Sequence, residues 1–292
     1  MTTSDTAPGT PHRCALVRLR QRPAVAALTS GQGLVGVVLL VLIIGAGLLA
    51  PILATADPLT QPPGDSLLRM SAAHPLGTDE LSRDIYSRTL YGIRTTVEII
   101  VIAVPIAAVI GALIGLFASL SAIADQLTQR LFDVILAFPA IILGLTLAAV
   151  LGPGKHTVMV VIIASEVPLF GRLIRTQILK VRESPFVEAA EVFGASRLWI
   201  LRRHILPNSV EPLGVQLALS LSLAVFLESA MSFIGIGVQP PEPSLGSILS
   251  DSMRNYYLVW NPLFAVGPLL VVVGLVLGFL LVSQALGKVR RG

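Results

Sequence analysis

The stretch Ser184–Asn208, SPFVEAAEVFGASRLWILRRHILPN, is a charged, helix-forming island in a sequence that is otherwise mostly apolar. Ser184 is a favoured N-cap residue, and Pro185 suits the first helical position, where no backbone donor is needed. Gly194 can adopt the left-handed conformation that ends a helix. The pattern therefore predicts a short helix from about Pro185 to Phe193.

A second short helix is predicted after the glycine. Ser196 can cap this helix, and Pro207, together with the residue before it, is expected to end it. On the first helix, apolar residues recur at spacings of three and four and so share one face, with acidic residues on its flanks. The apolar face comprises Phe186, Ala189, Ala190 and Phe193, and the flanks carry Glu188 and Glu191. Two such helices between membrane spans bury little surface alone, so we expect them to bind a groove on another protein.

The spacing across this island resembles a known docking motif. Glu188-Ala189-Ala190, three residues, Gly194 and then Leu206-Pro207 are similar to the EAA loop, by which permease subunits of ATP-binding-cassette (ABC) importers dock onto their ATPases. His204 stands where the general pattern has isoleucine, which resembles the H-x-L-P-N variant of the dipeptide, oligopeptide and nickel permeases. The alternative is a surface helix pair packed on loops of its own chain. The resemblance implies ATPase coupling by Phe186, Glu188, Ala189, Ala190, Phe193, Gly194, His204, Leu206 and Pro207.

The composition indicates a membrane protein. Of the 292 residues, 54% are hydrophobic and only 13% are charged, and the mean hydropathy is +0.81. So few charges cannot cover a soluble domain of this size. The net charge of +4 is compatible with nucleic-acid binding, but the basic residues fall between apolar runs and do not form one patch. We therefore expect membrane lipid and no nucleic acid among the partners.

Hydropathy predicts an all-α, polytopic protein with six transmembrane helices, each able to cross a hydrocarbon core of about 30 Å. The spans are predicted at about 32–56, 95–119, 131–151, 156–179, 211–236 and 262–286, with a cytoplasmic coupling loop at 180–209. Residues 1–31 are predicted to be a cytoplasmic tail with a basic interfacial stretch, and residues 287–292 a second cytoplasmic tail. A cleaved signal peptide is the alternative for the first span, but its uncharged run exceeds the roughly 7–15 apolar residues of such a peptide.

Four local features are predicted within and beside these spans. Pro105 is expected to kink the second span, because neighbouring helices can satisfy the freed carbonyl. Asp125 to Arg130 is interpreted as a short turn before the third span, and Asp133 can pair with the arginine that ends this turn. Glu166 and Pro168 are expected to interrupt the fourth span.

Positive charge is asymmetric when six spans are drawn with the N-terminus inside. Fifteen of the 21 Lys and Arg residues then lie inside: arginines 13, 18, 20, 22, 130, 172, 175, 182, 197, 202, 203, 290 and 291, with lysines 180 and 288. The other six lie outside: Arg69, Arg83, Arg88, Arg94, Lys155 and Arg254. This asymmetry agrees with the positive-inside rule, so both termini and the island are predicted to be cytoplasmic.

Two stretches on the outer side also resemble the same permease family. HPLGTDELSRDIYSRTLYGIR, His74–Arg94, is similar to the H-P-L-G-T-D-x-x-G-R-D signature of C-type subunits, with Ser82 in place of the family's glycine. LESAMSFIGIGVQPPEPSLG, Leu227–Gly246, resembles another family stretch. The charged residues of the first stretch would ordinarily form a solvated, salt-bridged face. We expect two outer loops, His74–Arg94 and Val238–Asn261, to form the gate and the surface that docks a binding protein. The candidate docking residues are Asp79, Arg83, Asp84, Arg88, Gln239 and Glu242.

The resemblance implies the C-type permease subunit of an ATP-driven importer in the bacterial cytoplasmic membrane. The chain has no G-x-x-x-x-G-K-[ST] motif to cradle phosphates, so ATP and Mg²⁺ are expected on partner ATPases and no cofactor on the chain itself. The implied partners are a homologous B-type permease, two ATPase domains and an extracytoplasmic substrate-binding protein. The chain alone is not expected to be an enzyme.

An ion-coupled secondary transporter is the alternative from a different class. Such a protein needs ionisable groups inside the membrane and usually has internal repeats. No convincing inverted repeat is present, and Glu166 and Glu228 are the candidate pathway or gate residues. For the importer, peptides are the favoured cargo, and nickel, glutathione or haem-type cargo stay open. Spans without histidine or cysteine clusters argue against direct metal coordination, and Cys14, the only cysteine, cannot form an intrachain disulfide.

Overall fold

The protein is a helical bundle in the computed structural model, which describes residues 28–29, 31–210, 212–254 and 263–289. Within these residues every regular element is a helix, apart from one isolated β-bridge. The helices are α1 (Gly31–Leu48), α2 (Ala50–Leu53), α3 (Ile85–Ala118), α4 (Ala122–Ala137), α5 (Ala140–Leu151), α6 (Lys155–Arg182), α7 (Pro185–Val192), α8 (Arg197–Ile200), a π turn (Leu201–Ile205), α9 (Leu206–Ser209), α10 (Leu213–Ile234), α11 (Leu245–Arg254) and α12 (Leu263–Val289). The predicted basic stretch before residue 28 and the tail residues 290–292 lie outside the described residues.

Helices α1, α3, α6, α10 and α12 are each long and apolar enough to cross a membrane. Helices α4 and α5 pass the same test only as a pair, and they meet at an 89° bend. The bend is at Phe138-Pro139, where Phe138 has extended backbone angles because the residue before a proline is driven out of the helical region. The predicted turn at 125–130 is wrong, since these residues are helical in α4, and the predicted continuous span at 131–151 is instead broken at Pro139.

The bent pair α4–α5 carries the chain back across the bundle between α3 and α6. These two long helices run in the same direction: a Cβ at Gly111 would touch the Val167 carbonyl, and further along Arg182 Nη1 donates to the Ser119 carbonyl, 3.4 Å away. Two parallel helices in one chain need a return crossing between them, and α4–α5 is the segment that connects them. With this pair counted as one span, the bundle has the six predicted spans.

Both ends of the described bundle lie on the side that carries residues 183–210, which is called the lower end here. Lys288 Nζ, near the end of α12, donates to Gln32 Oε1 in α1, 2.7 Å away. Ser283 Oγ donates to the carbonyl of Val215, at the start of α10, over 2.9 Å. Residues 54–84 and the segment after α10 lie at the opposite, upper end, where Gly154 N donates to the Ile236 carbonyl.

Small residues let the helices approach closely. On α3, Gly111 and Gly115 face α6, and a Cβ at Gly115 would lie 2.3 Å from the Gly171 carbonyl oxygen. On α12, Gly274 and Gly278 face Ile43 and Leu40 of α1 in the same way. In lipid, where the hydrophobic effect does not drive helices together, this spacing of two small residues four apart permits close van der Waals packing.

The helix boundaries differ from prediction at several points. Helix α3 begins at Ile85, ten residues before the predicted 95, because the Asp84 side chain caps it by accepting from Ser87 N at 2.7 Å. Helix α6 continues without interruption past Glu166 and Pro168, and α3 continues through Pro105. The first span ends early: α1 stops at Leu48, and α2 extends it only to Leu53.

Helix α11 was not predicted, because its segment was assigned to an outer loop. Its apolar residues Leu245, Ile248 and Leu249 recur at three- and four-residue spacing and are buried. The helix contacts α10 and α12 at the upper end. It therefore forms part of a folded cap on that end of the bundle.

Candidate functional site

The glycine corner of the island forms as predicted. Gly194 has φ +80°, in the left-handed region, and its N–H donates to the Glu191 carbonyl at 2.9 Å. Ala195 N donates to the Ala190 carbonyl at 3.0 Å, so α7 ends in a closed turn. Ser184 occupies the N-cap position of α7 as predicted, but its side chain forms no capping hydrogen bond, because Ser184 Oγ donates backwards to the Val181 carbonyl.

The apolar residues of α7 divide between two sides. Val187 is buried and Ala190 half-buried, and both contact the lower end of the bundle. Phe186 is 46% exposed, Val192 81% and Phe193 90%. The prediction that Ala190 shares the outward face is therefore corrected: the outward surface of α7 consists of Phe186, Ala189, Val192 and Phe193.

The second half of the island is one continuous helical path and does not end at Pro207 as predicted. It runs through α8, the π turn and α9 as far as Ser209. The π turn is closed by Leu206 N donating to the Leu201 carbonyl, five residues back. This wider turn places Pro207 at the start of a new α segment, where its missing N–H is not needed. The Ser196 hydroxyl accepts from Trp199 N at 3.4 Å, in the predicted capping position.

His204 joins the two halves of the island through ring contacts. Its imidazole centroid lies 6.0 Å from the ring of Phe186 on α7 and 5.0 Å from the ring of Trp199 on α8, the latter edge-on. Such aromatic contacts contribute about 0.5–1.5 kcal/mol beyond the area that they bury. The histidine that distinguishes this motif variant thus fixes α7 against the second helical segment.

An apolar cluster fixes the island to the bundle. Ile174 and Ile178 of α6 pack with Val187 of α7, Ile200 of α8 and Ile205 of the π turn, and each of the five is at most 5% exposed. Partly buried residues at the lower end of α3 and the start of α10 complete this cluster. The island therefore follows any movement of the lower ends of these helices.

Four charged side chains of the outer motif form a buried network and not an exposed face. Asp79, Arg83, Asp84 and Arg88 are each at most 9% exposed. Arg83 Nε donates to Asp79 Oδ2 at 2.7 Å, and Arg88 Nη1 donates to the Pro58 carbonyl at 3.3 Å. The expectation that these four side chains contact a docked binding protein is corrected. They are buried within this chain, where they stabilise the upper loop.

Asp84 connects this network to the chain after α2. Besides capping α3, its carboxylate accepts from Thr55 Oγ1 at 3.0 Å and lies 2.9 Å from His74 Nδ1. Ser87 Oγ accepts from the backbone N–H groups of Thr55 and Ala56, each at 3.1 Å. The polar residues around Asp84 therefore tie the end of the first span to the start of the second.

Ser82, where the family resemblance predicts glycine, adopts φ +61°. The turn geometry of the motif is therefore kept, with a non-glycine residue in the left-handed region. Its N–H donates to the Asp79 carbonyl at 3.0 Å, which closes the turn. A left-handed conformation costs an L-residue other than glycine roughly 1–2 kcal/mol.

We expect Ser82→Gly to stabilise the upper loop by about 0.5–1 kcal/mol, because glycine adopts this φ without strain. This figure is the net gain, since glycine also gives the unfolded chain more conformational entropy. The change is measured as a higher midpoint of thermal unfolding of the purified protein. Ser82→Ala is the matched control, because it removes the hydroxyl but keeps the strained backbone. Equal midpoints for the two variants would contradict this interpretation.

The two candidates from the other outer loop are only partly exposed. Gln239 Nε2 donates to the carbonyls of Gly235 and Gly237, at 3.0 and 2.9 Å, which orders the turn after α10. Glu242 Oε1 accepts from Lys155 Nζ at 3.1 Å and so ties the loop to the start of α6. Both side chains border an open groove of about 510 Å³ at the upper end, whose lining includes Asp57, Pro58, Leu59, Tyr91, Gln239, Pro241, Glu242 and Pro243.

Glu228 of α10 is completely buried between helices. Its Oε2 accepts from Thr96 Oγ1 of α3 at 2.8 Å and from Ser229 Oγ at 3.4 Å, and its Oε1 accepts from Ser232 Oγ at 2.9 Å. The three donors are therefore all side-chain hydroxyls. At 0% exposure, the carboxyl group cannot line a surface of this chain.

Glu166 forms a second buried polar link, which joins α6 to α10. Its Oε2 accepts from Ser220 Oγ, which itself accepts from Gln216 Nε2 at 3.2 Å. Glu166 is 5% exposed, so it too is turned into the chain. The two predicted pathway residues thus act in this structure as polar links between helices.

We expect Glu228→Gln to destabilise the bundle by about 1–3 kcal/mol, because one acceptor oxygen is replaced by an amide that cannot accept from its buried hydroxyl donor. Thermal unfolding of the purified protein and uptake by the assembled transporter measure the change. Thr96→Val removes a single donor and should cost less. If Glu228→Gln has the thermal stability and the uptake of wild type, Glu228 has neither a structural nor a functional role.

Two ion pairs link α4 to α6. Asp125 accepts from both Nε and Nη2 of Arg175, the latter at 2.6 Å, and Asp133 Oδ1 accepts from Arg172 Nη2 at 2.6 Å. The suggested pairing of Asp133 with Arg130 is therefore corrected. Its true partner is on the next long helix, 39 residues away.

Comparison with known families settles the class of protein. A family model described as "Binding-protein-dependent transport system inner membrane component" matches residues 96–289. The chain belongs to this family. The match begins at Thr96 in α3, the residue that donates to Glu228, and includes the entire island. The permease is therefore a multi-pass inner-membrane component of an ABC importer, a class of system in which ATPase and substrate-binding components are its partners.

Curated relatives of the permease include peptide transport proteins. The dipeptide transport system permease protein DppC of Alkalihalophilus pseudofirmus is 35% identical over 255 residues, which cover 87% of this chain and 83% of that protein. The probable D,D-dipeptide transport system permease protein DdpC of Escherichia coli is 38% identical over 222 residues, covering 76% and 74%. The glutathione transport system permease protein GsiD of Pectobacterium atrosepticum is 34% identical over 217 residues, covering 74% and 71%.

Among solved structures, the permease fold resembles a chain of the MetNI methionine ABC transporter in an inward-facing conformation. The TM-score is 0.55, with 18% sequence identity, and the match covers 70% of this chain and 95% of that chain. At this identity the likeness concerns the fold. It confirms the predicted all-α permease architecture.

Sequence reasoning missed three features of the permease sites. Val192 is 81% exposed, but it was assigned to no face of the helix. Trp199 was not among the predicted site residues, although its ring contacts His204. The partners of the buried carboxylates, such as Ser220 and Thr96, are distant in sequence and carry no local signal. Within the described ranges, no group of three or more His, Cys, Asp or Glu side chains is placed to hold a metal ion.

Proposed function

We propose that this permease is the C-type subunit of an importer of di- or oligopeptides, and that α7 is the helix by which it docks onto an ATPase. The observation that carries the proposal is the outward surface of α7: Phe193 is 90% and Val192 81% exposed on a helix that projects from the lower end. An apolar helix face without a partner in its own chain suits a groove on another protein. The matching partners are a homologous B-type permease, two ATPase domains that bind ATP and Mg²⁺, and an extracytoplasmic substrate-binding protein.

The lower end is assigned to the cytoplasm. Among the described residues, Arg130, Arg172, Arg175, Lys180 and Lys288 lie towards this end. The positive-inside rule places such an excess of basic residues on the cytoplasmic side. With an even number of spans, this orientation puts both termini in the cytoplasm and the upper cap outside.

Peptides are the proposed cargo because the relatives named for dipeptide, D,D-dipeptide and glutathione transport all carry compounds with amide bonds between amino-acid units. Relatives of this kind support a cargo class and not a particular peptide. The upper groove beside Gln239 and Glu242 is open and, at about 510 Å³, large enough to admit such a compound or the loop of a docked binding protein.

The structure also favours a particular movement for the docking helix. Val187 and Ile205 pack on Ile178 of α6, and a hydrogen bond from Ser220 of α10 to Glu166 of α6 holds these two spans together higher up. Movement of α7 should therefore carry α6 and α10 together as one body. The simpler idea that the docking helix pulls these two spans apart would break a buried polar link, which is costly in a membrane.

The proposal is tested by reconstituting the permease with the second permease, the ATPases and the binding protein of its own system in sealed vesicles. Uptake of a labelled dipeptide is expected to require ATP and the binding protein, and to survive an ionophore that dissipates ion gradients. Uptake that follows an ion gradient without ATP would instead support a secondary transporter. Uptake of nickel chelates or haem, with no peptide uptake, would retain the importer but reject the cargo.

A further inference from the structure

A basic groove lies beside the outward surface of α7. The groove has a volume of about 350 Å³, and Ser196, Trp199, Arg202 and Arg203 line it. Both arginines are exposed, and among the described residues neither guanidinium has a hydrogen bond or a salt bridge. Other arginines of the bundle behave differently: Arg83, Arg172 and Arg175 each bind a carboxylate of this chain.

The groove continues the surface of the docking helix. The His204 ring lies between Phe186, on the outward side of α7, and Trp199, which lines the groove. Arg202 and Arg203 follow one another on the π turn that carries this histidine. One continuous surface therefore runs from the exposed phenylalanines of α7, across the aromatic contact, to the two arginines.

The two parts of this surface carry opposite charge. Glu188 and Glu191 are exposed on α7, whereas Arg202 and Arg203 are exposed on the π turn. Complementary charges at an interface fix its register and orientation and accelerate association more than they raise affinity. A partner that fits this surface must present carboxylates opposite the groove, with an apolar cleft beside them.

We propose that the groove binds carboxylate side chains of the ATPase subunit, as a second contact that sets the orientation of the ATPase on α7. The inference rests on the proposed function, because it takes the partner of α7 to be the ATPase. An arginine guanidinium can bind a carboxylate with two parallel hydrogen bonds, which gives directional as well as attractive force. The Trp199 ring is 50% exposed and forms an apolar side of the groove next to the two arginines.

The position of the groove favours a protein partner over lipid headgroups. Helix α6 extends ten residues beyond Arg172, the first basic residue after its apolar part, which is about 15 Å at 1.5 Å per residue. The α8 segment, through Ile200, packs near Ile178 in that extension. The groove therefore lies on the part of the chain that projects from the membrane border towards the docking partner.

The test measures binding of the ATPase subunit to the full permease complex in lipid nanodiscs, at several salt concentrations. Arg202→Glu and Arg203→Glu are each expected to weaken binding roughly 10-fold or more at low salt and to reduce its salt dependence, because each places a negative charge opposite the carboxylates of the partner. Lys180→Glu is the matched control: it makes the same change of charge on exposed α6 surface outside the groove and should alter binding less than about twofold. Arg202→Gln, which removes charge without reversing it, should be intermediate.

Each outcome separates the inference from the proposed function. If both glutamate variants bind like wild type while Phe186→Ala on α7 weakens binding, the groove inference is wrong and ATPase docking by α7 stands. If neither the arginine nor the α7 variants change ATPase binding, the proposed docking role of the island is itself wrong. If the arginine variants lose binding only in nanodiscs that contain anionic lipid, the groove binds lipid headgroups and the inference is overturned.

Discussion

Replacement of Gly194 by valine should leave the permease inserted with six spans but should reduce peptide uptake at least 10-fold, together with the substrate-stimulated ATP hydrolysis of the assembled transporter. Gly194 has φ +80°, a conformation that a β-branched residue adopts only with strain. An added Cβ meets no atom of this chain within 4 Å, so the penalty arises from the backbone and not from a clash. The valine variant must therefore change the backbone conformation of the glycine corner, which sets the orientation of α7.

Two matched variants distinguish this explanation from general damage. Asparagine tolerates the left-handed region, so Gly194→Asn should retain most of the uptake. Ala195→Val, one residue on, keeps the glycine corner and should be milder. Normal coupled uptake by the valine variant would refute transmission through the corner, and failure of that variant to insert would show that the island serves folding.

Gly115→Ala should be among the most destabilising single substitutions in the bundle, although it adds only one methyl group. The Cβ would lie 2.3 Å from the Gly171 carbonyl oxygen, which is backbone and cannot rotate away, so α3 and α6 would have to separate. We expect a loss of about 1–3 kcal/mol or more, as in other overpacked cores, and a lower yield of monodisperse protein.

Gly45→Ala is the control for this prediction. It makes the same substitution inside a membrane helix, but its Cβ would meet nothing within 4 Å, and alanine is the better helix former. Its thermal unfolding midpoint should equal or exceed that of wild type. Similar midpoints for the Gly115 and Gly45 variants would show that the close contact between α3 and α6 does not limit stability.

The spans and the island were predictable from the sequence because their signals are local. Hydrocarbon thickness sets the length of each apolar run, and Gly194 with its neighbours specifies a helix end. The three prolines show the limit of such signals. Pro105, Pro139 and Pro168 all lie in apolar runs, but only Pro139 breaks its helix, since neighbouring helices support α3 and α6 along their lengths. The local helix propensity around a proline does not show whether neighbouring helices will support the helix there.

The burial of the outer charged motif could not be predicted from the sequence either. Asp79, Arg83, Asp84 and Arg88 have the spacing of a solvated face, and nothing nearby indicates otherwise. Their burial depends on the Pro58 carbonyl, Thr55 and the α11 helix, which approach from distant parts of the chain. The same holds for Glu228, whose partner Thr96 is 132 residues away.

The break at Phe138-Pro139 identifies which side of the permease is not exposed to lipid. Helix α5 has 12 residues and so rises about 18 Å, less than the roughly 30 Å of a hydrocarbon core, which leaves the break at membrane depth. Leu136, Ala137 and Phe138 are exposed there. Acyl chains offer no hydrogen bonds to interrupted backbone, so such a break persists only against protein or water. In the membrane, the bent pair must therefore face a protein partner or water, and the acyl chains contact the other sides of the bundle.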